Sequence, residues 1–390
     1  MVRVWSVVTA RGRLTALVGV LAAVGGVLWR YPVLAGLGGA LLLVVMVEVL
    51  SVLVSGDVTV RREVSPAVVV RHDPCAGTLH VTGQRRRGFV RVDASDVVDG
   101  KIIAVQLPEG VRGQTVSVSY AIPTPRRGLL DIGPVRLRRY GITGMATTSI
   151  EVGEIGQVRV LPRRVPVAAM MPGDRRAAAG GSDSMDYGGT DLVGLHEYAM
   201  GDDLRRLHWA TSARTGTLMV REDADPSEPH VLVLLDDRLA SYSDVGGPGD
   251  SFEEAVELVA ALCRVTVDQG NPLRFRTVSG RDDIAVPGSP TRQPRHEAQD
   301  LDWFLAEVGQ TSYRGLPPFE PQGHDVVVAV TGAASDEREL MLLVGSGPTG
   351  VLAVVDPVPL VSAEQRAGVL VLRGAGSLSL AASWDEAATR

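Results

Sequence analysis

Two long apolar runs near the start of the chain constrain it more than any other feature. Leu14 to Trp29 holds no charged residue, and Tyr31 to Val54 holds one, Glu48. Each approaches the length at which a helix crosses a ~30 Å hydrocarbon core. The first run is slightly short, but Arg13 and Arg30 at its ends can snorkel to the interfaces. The connector Trp29-Arg30-Tyr31-Pro32 permits only a tight reversal, and its rings suit a membrane boundary. Residues 1–56 are therefore expected to form a membrane hairpin of two transmembrane helices. Arg3, Arg11 and Arg13 before the first run also fit a secretory leader, but an immediate second apolar run does not belong to that pattern. Glu48 either reaches the interface, pairs with a neighbour or works inside the membrane.

Arginine placement sets an expected orientation. Arg3, Arg11 and Arg13 precede the first helix, and Arg61, Arg62 and Arg71 follow the second. The positive-inside rule then puts both termini in the cytoplasm, as a multi-pass protein of the inner or plasma membrane. Residues 1–165 hold 21 basic against 11 acidic residues, and residues 166–390 hold 18 against 34. The basic part suits an anionic lipid bilayer. The overall charge of −6 argues against a nucleic-acid partner. Cys75 and Cys263 are too few for a disulfide framework, a zinc ribbon or an iron–sulfur site. No GxxxxGK[ST] occurs, so no Walker-type nucleotide site and no cofactor are expected.

Residues 57–165 carry short β-branched runs, among them Asp57–Val64, Thr78–Val81, Lys101–Leu107, Thr115–Ala121 and Gln157–Leu161. Turn signals such as Pro108-Glu109-Gly110 and Arg127-Gly128 separate them. The pattern predicts a β-rich, sandwich-like domain. Arg85-Arg86-Arg87 lacks interleaved aromatics and reads as a solvated or lipid-facing turn. Residues 166–194, rich in Gly, Ala, Asp and Arg, are expected to be a flexible linker.

The most unusual stretch is LHEYAMGDDLRRLHWATSARTGTLMVREDAD, from Leu195 to Asp225. Asp203 could cap a helix over Leu204–Ala213, with Arg205 and Trp209 on one face. Four chemical readings arise. His196, Asp202, Asp203 and His208 could hold a metal for a hydrolase or nuclease, although HExxH spacing is absent. Ser212, His208 and Asp202 could form a nucleophile arrangement, without the GxSxG context. Arginines and carboxylates could instead pin a loop across a domain junction. The segment could also be a surface for a partner.

The whole chain, chiefly through this stretch, resembles the bacterial membrane-anchored domain-of-unknown-function-58 proteins. The resemblance rests on Glu197-Tyr198, Gly201-Asp202, Arg205, His208-Trp209, Ser212-Ala213-Arg214, Leu218 and Val220-Arg221-Glu222, with Arg126-Arg127-Gly128 and Ile132-Gly133-Pro134 upstream. Two points depart from it: His196 stands where an arginine is usual, and Tyr140-Gly-Ile-Thr-Gly-Met replaces a DPFGL-like segment. The resemblance implies a two-helix anchor, a β-rich domain and an α/β von Willebrand A-like domain. It also implies MoxR-type AAA+ ATPases and transglutaminase-like membrane proteins as partners. It supplies no reaction.

The rest of the chain fits a doubly wound sheet. His230–Asp236 is a continuous apolar run ending in an acid, as in a buried parallel strand. Strands are expected again at Leu273–Val278, Asp325–Val330, Val351–Asp356 and Val369–Leu372. Helices are expected at Phe252–Asp268, behind a Ser251/Glu254 capping box, and at His296–Val308 and Asp336–Val344. Residues 195–390 would thus hold the signature plus the α/β domain. A von Willebrand A metal site needs DxSxS after the first strand, and this chain has Asp236-Asp237-Arg238-Leu239-Ala240. A guanidinium repels a divalent ion, so Asp236 is expected to pair with Arg238 or with a signature arginine. The leading expectation is a non-enzymatic, membrane-anchored adaptor. Its interacting residues would be Glu197, Tyr198, Gly201, Asp202, Arg205, His208, Trp209, Ser212, Arg214, Arg221 and Asp236. A metal-dependent hydrolase or nuclease is the alternative, and an extracellular adhesion module would need the opposite topology.

Overall fold

The computed structural model describes residues 7–54, 58–83, 90–107, 115–171, 192–199, 207–223, 230–243, 250–288, 294–315, 323–358 and 361–389. The chain divides into two compact units, Met1–Val160 and Leu161–Arg390.

The first unit opens with α1 (Ala10–Leu28) and α2 (Pro32–Val54), both long and apolar enough to cross a membrane. They run antiparallel, with Gly26 against Ala35, Gly38 against Ala23 and Gly19 facing Leu42. A side chain on Gly26 or Gly38 would strike the opposite backbone. Small residues at such crossings let helices approach where lipid supplies no hydrophobic drive between them. Thr9 caps α1 by accepting the Gly12 N–H at 3.2 Å.

Ten strands follow among the described residues: β1 (Val58–Ser65), β2 (Val68–Val70), β3 (Cys75–Gly83), β4 (Val90–Val98), β5 (Lys101–Val105), β6 (Thr115–Ile122), β7 (Gly128–Ile132), β8 (Val135–Gly141), β9 (Thr147–Val152) and β10 (Gly156–Leu161). One sheet has the order β1-β3-β6. The other runs β2-β10-β7-β4-β8-β9, with β5 paired to β4. Strands of both sheets line one core that includes Leu79, Ile132, Leu137 and Val158. Period-two alternation places these residues inward, most clearly in β8, whose burial alternates along its length. Buried Asp96 on β4 ties the sheets together. It accepts hydrogen bonds from Tyr120 on β6 and from Arg62 on β1, the latter at 3.3 Å. Burial, then the Asp96 contact, pushes the Tyr120 hydroxyl above the usual tyrosine range. Arg85-Arg86-Arg87 lies outside the described residues.

The second unit begins with an extended strap. Val165, Met170 and Met171 are buried in its core. Arg163 reaches Glu254 and Glu257, each at 3.0 Å, and the Trp384 ring N–H donates to the Ala169 carbonyl at 2.9 Å. Residues 166–171 are therefore packed and do not belong to a linker. Two methionines without periodicity gave no warning of this, because an extended strap has no helical face. Residues 172–191 lie outside the described part.

After β11 (Leu192–Glu197), α3 (Trp209–Thr215) and β12 (Met219–Asp223) comes the α/β portion. It comprises β13 (Val231–Leu235), α4 (Asp250–Asp268), β14 (Leu273–Thr277), β15 (Asp283–Val286), α5 (Pro294–Glu307), β16 (Val326–Gly332), α6 (Glu337–Val344), β17 (Thr349–Val355), β18 (Ser362–Arg366), β19 (Val369–Gly374) and α7 (Ser377–Ala388). The sheet order is β15-β14-β13-β16-β17-β19-β18. The five inner strands are parallel, and β15 and β18 are antiparallel edges. Residues of α4, α5 and α7 cover one face, including Phe252, Leu305 and Trp384. Leu340 and Val344 of α6 pack on the other. Burial on both faces is why β13 and β16 read as unbroken apolar runs.

The Ser251/Glu254 capping box does not form. Ser251 lies inside the first turn of α4 and donates to the Ser243 carbonyl at 3.1 Å. Glu254 instead accepts from the Ser377 N–H at 2.8 Å, at the start of α7. A distant helix end outcompetes the local cap.

Candidate functional site

The signature segment builds a small module of its own. β12 is its central strand. Met219 and Val220 pair with Glu197 and His196 of β11, and Leu207 bridges Val220 from the other side. The Tyr198 N–H donates to the Leu218 carbonyl at 2.8 Å, and the His208 N–H to the Met219 carbonyl at 2.8 Å. The helix therefore starts later than expected. Its N-cap is His208, not Asp203, and it covers Trp209–Thr215 instead of Leu204–Ala213. His208 directly follows the bridge residue Leu207 and stands ahead of the helix as its cap.

Two side chains of the signature hold this module together. His208 Nδ1 accepts the Thr211 N–H at 3.2 Å and lies 2.8 Å from the Thr211 hydroxyl. A ring nitrogen that accepts a backbone N–H carries no proton, so in the neutral ring the proton sits on Nε2. Ser212 is buried, and its hydroxyl oxygen accepts the Met219 N–H at 2.8 Å, fastening helix to strand. That bond engages the group that the nucleophile reading needs. Gly216 closes the helix at φ 76°, a left-handed turn that suits glycine. Arg214 sits in the last turn, where a cation is favoured by the helix dipole. Trp209 leaves the module outward and is 67% exposed. Glu197 and Arg214 are exposed, and Tyr198 is half-buried. Gly201, Asp202, Asp203 and Arg205 lie outside the described residues, as do the side chains of Arg221 and Glu222. Two of the four groups of the expected metal site are thus not placed.

A second candidate site lies at the carboxyl end of β13. Reading only the parallel strands, β13 is the first in sequence, β14 the second and β16 the third, so strand order reverses direction between β13 and β16. Ligands of open α/β sheets bind at such a switch point. Here a side chain of the same chain occupies it. Asp236 is fully buried. It accepts from Arg238 Nε at 2.9 Å and from the other guanidinium arm at 3.0 Å. It also accepts from the Thr331 hydroxyl at 2.7 Å and the Arg238 N–H at 3.2 Å. The guanidinium reaches on to Glu339 of α6 at 3.1 Å. These Asp236 hydrogen bonds hold Arg238 charged, raising its pKa above the ordinary arginine value although burial opposes them. The neighbouring Asp237 serves a different strand. Its carboxylate accepts from the N–H of Ser279, just past β14, at 2.9 Å and from that residue's hydroxyl. Successive side chains of an extended segment point to opposite sides, which separates the two acids.

Asp236 thus takes Arg238 as its partner, one of the two alternatives left open by the sequence. Thr331, Glu339 and Ser279 complete the arrangement. They come from β16, α6 and the end of β14, and no short-range spacing links them to Asp236. Among the described residues no group of three or more His, Cys, Asp or Glu side chains is placed to hold a metal ion.

The family described as "Protein of unknown function DUF58" matches residues 195–343. The uncharacterized protein YeaD of Bacillus subtilis (strain 168) is 26% identical over 159 residues, 40% of this chain. The match spans 38% of that relative's length. Among solved structures, the CARDB domain of a Pyrococcus furiosus protein, in complex with di-metal ions, is 15% identical, with 27% of this chain and 94% of that chain covered at a TM-score of 0.19. The pilus adhesin of Streptococcus pneumoniae is 12% identical, with 64% and 41% covered at 0.17. At these TM-scores neither likeness bears on the fold.

Proposed function

We propose, for a chain whose residues 195–343 belong to the DUF58 family of unknown function, that it is a membrane-anchored adaptor and not an enzyme. It presents a von Willebrand A-like α/β domain in the cytoplasm to a MoxR-type AAA+ ATPase, in a role related to the cell envelope. Transglutaminase-like membrane proteins are further partners. The observation that carries this reading is the signature module. Two of its polar side chains, His208 and Ser212, hold a hairpin and a short helix together, and Trp209 projects outward from the result. Tryptophan is one of the residues enriched at the energetic centres of protein interfaces. Two further features support the reading. α1 and α2 have the length and apolarity of an anchor, with both termini cytoplasmic by the arginine distribution. The switch point, where a von Willebrand A domain would hold a divalent ion, is filled by Arg238.

The test is gentle detergent purification from native membranes, with mass spectrometry of co-purifying proteins. An AAA+ ATPase should come down with the unmodified chain and be lost from Trp209→Ala, whose unfolding temperature should not change. Equal recovery of that ATPase with both forms, or recovery of none, would overturn the reading.

A further inference from the structure

We infer that the turn between β8 and β9, Gly141–Ala146, is a third membrane-contacting element, seated in the lipid interface with Ile142 at the acyl boundary. The inference rests on the reading of α1 and α2 as membrane spans.

Both helices of the hairpin are fastened to this one turn. Thr9, the cap of α1, donates its N–H to the Met145 carbonyl at 2.9 Å and its hydroxyl to the Gly144 carbonyl at 2.8 Å. Val8 bridges Ala146. From the other helix, the Glu48 carboxylate accepts the N–H groups of Thr143 and Met145. A side chain at Gly141 would collide with that carboxylate, so the strand end must be bare for Glu48 to reach the turn. Val7, Val52 and Ala146 bury one another beside it. The one acid in the apolar runs is therefore a latch between the hairpin and the β-rich domain.

Helix rise then fixes the depth. α1 has 19 residues, which span about 28 Å at ~1.5 Å each. From Pro32 to Glu48, α2 rises about 25 Å on the same scale. The turn thus stands one hydrocarbon thickness, ~30 Å, from the Trp29-Arg30-Tyr31 reversal. If those rings lie at one interface, the turn lies at the other. The surface at that level is apolar with a basic rim. Ile142 is 65% exposed, and Leu50, Leu53 and Val54 are exposed beyond Glu48, carrying the apolar surface of α2 past the turn. Arg11 and Arg13 are exposed on the first turn of α1, where they meet anionic headgroups. A lipid surface suits this combination and is continuous with the spans themselves.

The full chain, reconstituted in phosphatidylcholine–phosphatidylglycerol vesicles, tests this with single engineered cysteines carrying an environment-sensitive fluorophore. Cys75 and Cys263 are buried. The labelled positions are Ile142→Cys, Leu43→Cys within α2, and Ile155→Cys, which is exposed beyond the far end of β9, roughly 17–20 Å from the turn. Blue-shifted emission and quenching by spin-labelled lipid at 142 and 43, with neither at 155, is the expected result. Quenching at 43 while 142 behaves like 155 would overturn the inference and leave the anchor standing. No quenching at 43 would overturn the anchor and the inference with it. Adding Glu48→Leu should free the turn and lower quenching at 142 while 43 keeps its value. Unchanged quenching at 142 would show that Glu48 is not the latch.

Discussion

Replacing Arg238 by methionine keeps most of the side-chain volume and removes the charge that faces Asp236. Asp236 is fully buried and Arg238 only 5% exposed, so water cannot replace the lost partner. The carboxylate would retain the Thr331 hydroxyl at 2.7 Å and one backbone N–H at 3.2 Å. Two charge-assisted bonds, at 2.9 and 3.0 Å, would be gone. Breaking a buried pair from one side costs about 3–5 kcal/mol. In a unit of this size, Leu161–Arg390, each kcal/mol lowers the unfolding temperature by about 2–4 °C, so the drop should be roughly 6–20 °C. Thermal unfolding of the detergent-solubilised chain would measure it, with fully buried Trp384 as a reporter within the same unit. The double variant Asp236→Asn, Arg238→Met removes both charges and should recover all but about 1 kcal/mol of the loss. A single-variant loss below about 1 kcal/mol, the value of an exposed pair, would refute the argument that the guanidinium compensates a buried acid.

Three further outcomes are expected. Ser212→Ala should cost about 1 kcal/mol locally and speed amide exchange at Met219 about fivefold; unchanged exchange would show that the hydroxyl is not the clamp. Asp283, held below the usual carboxylate range by Arg274 hydrogen bonds at 2.9 and 2.8 Å, contributes stability above about pH 4 that is lost as pH falls through its folded value. The pair is partly exposed, so the contribution is at most about 1 kcal/mol, and Asp283→Asn should remove that share of the acid-side decline in urea titrations. Burial pushes the thiols of Cys75 and Cys263 above the usual cysteine range, so a water-soluble thiol reagent at mildly alkaline pH should label neither until denaturant exposes both; fast labelling of the native chain would contradict the packing around them.

Local pattern carried the parts of this protein whose burial follows a simple period. The apolar helices, the alternating strands of the β-rich domain and the continuous runs of β13, β16 and β17 were all legible, because each forms against one or two uniform faces. The shift from a basic to an acidic composition near residue 165 lies close to the division between the two units. Aspartate after β13 followed by an arginine two residues on was enough to raise their pairing, since the two are close in any backbone conformation. Other elements had no such period. The strap over 162–171 is extended, α7 shows only a weak stripe, and β15 and β18 are short edges with exposed faces.

What the sequence by itself determined is the set of charges and apolar faces available: a lone acid in a membrane-length run, an arginine two residues after a strand-end aspartate, and a polar signature with one tryptophan. Which groups distant in the chain meet was decided by tertiary structure. Glu48 finds amide donors 95 and 97 positions away, Asp236 shares its oxygens with Thr331 95 positions away, and Glu254 leaves its expected cap for Ser377, 123 positions on. Hydrogen-bonding groups deprived of water must be paired, and local spacing does not specify which distant strand end or helix start supplies the partner.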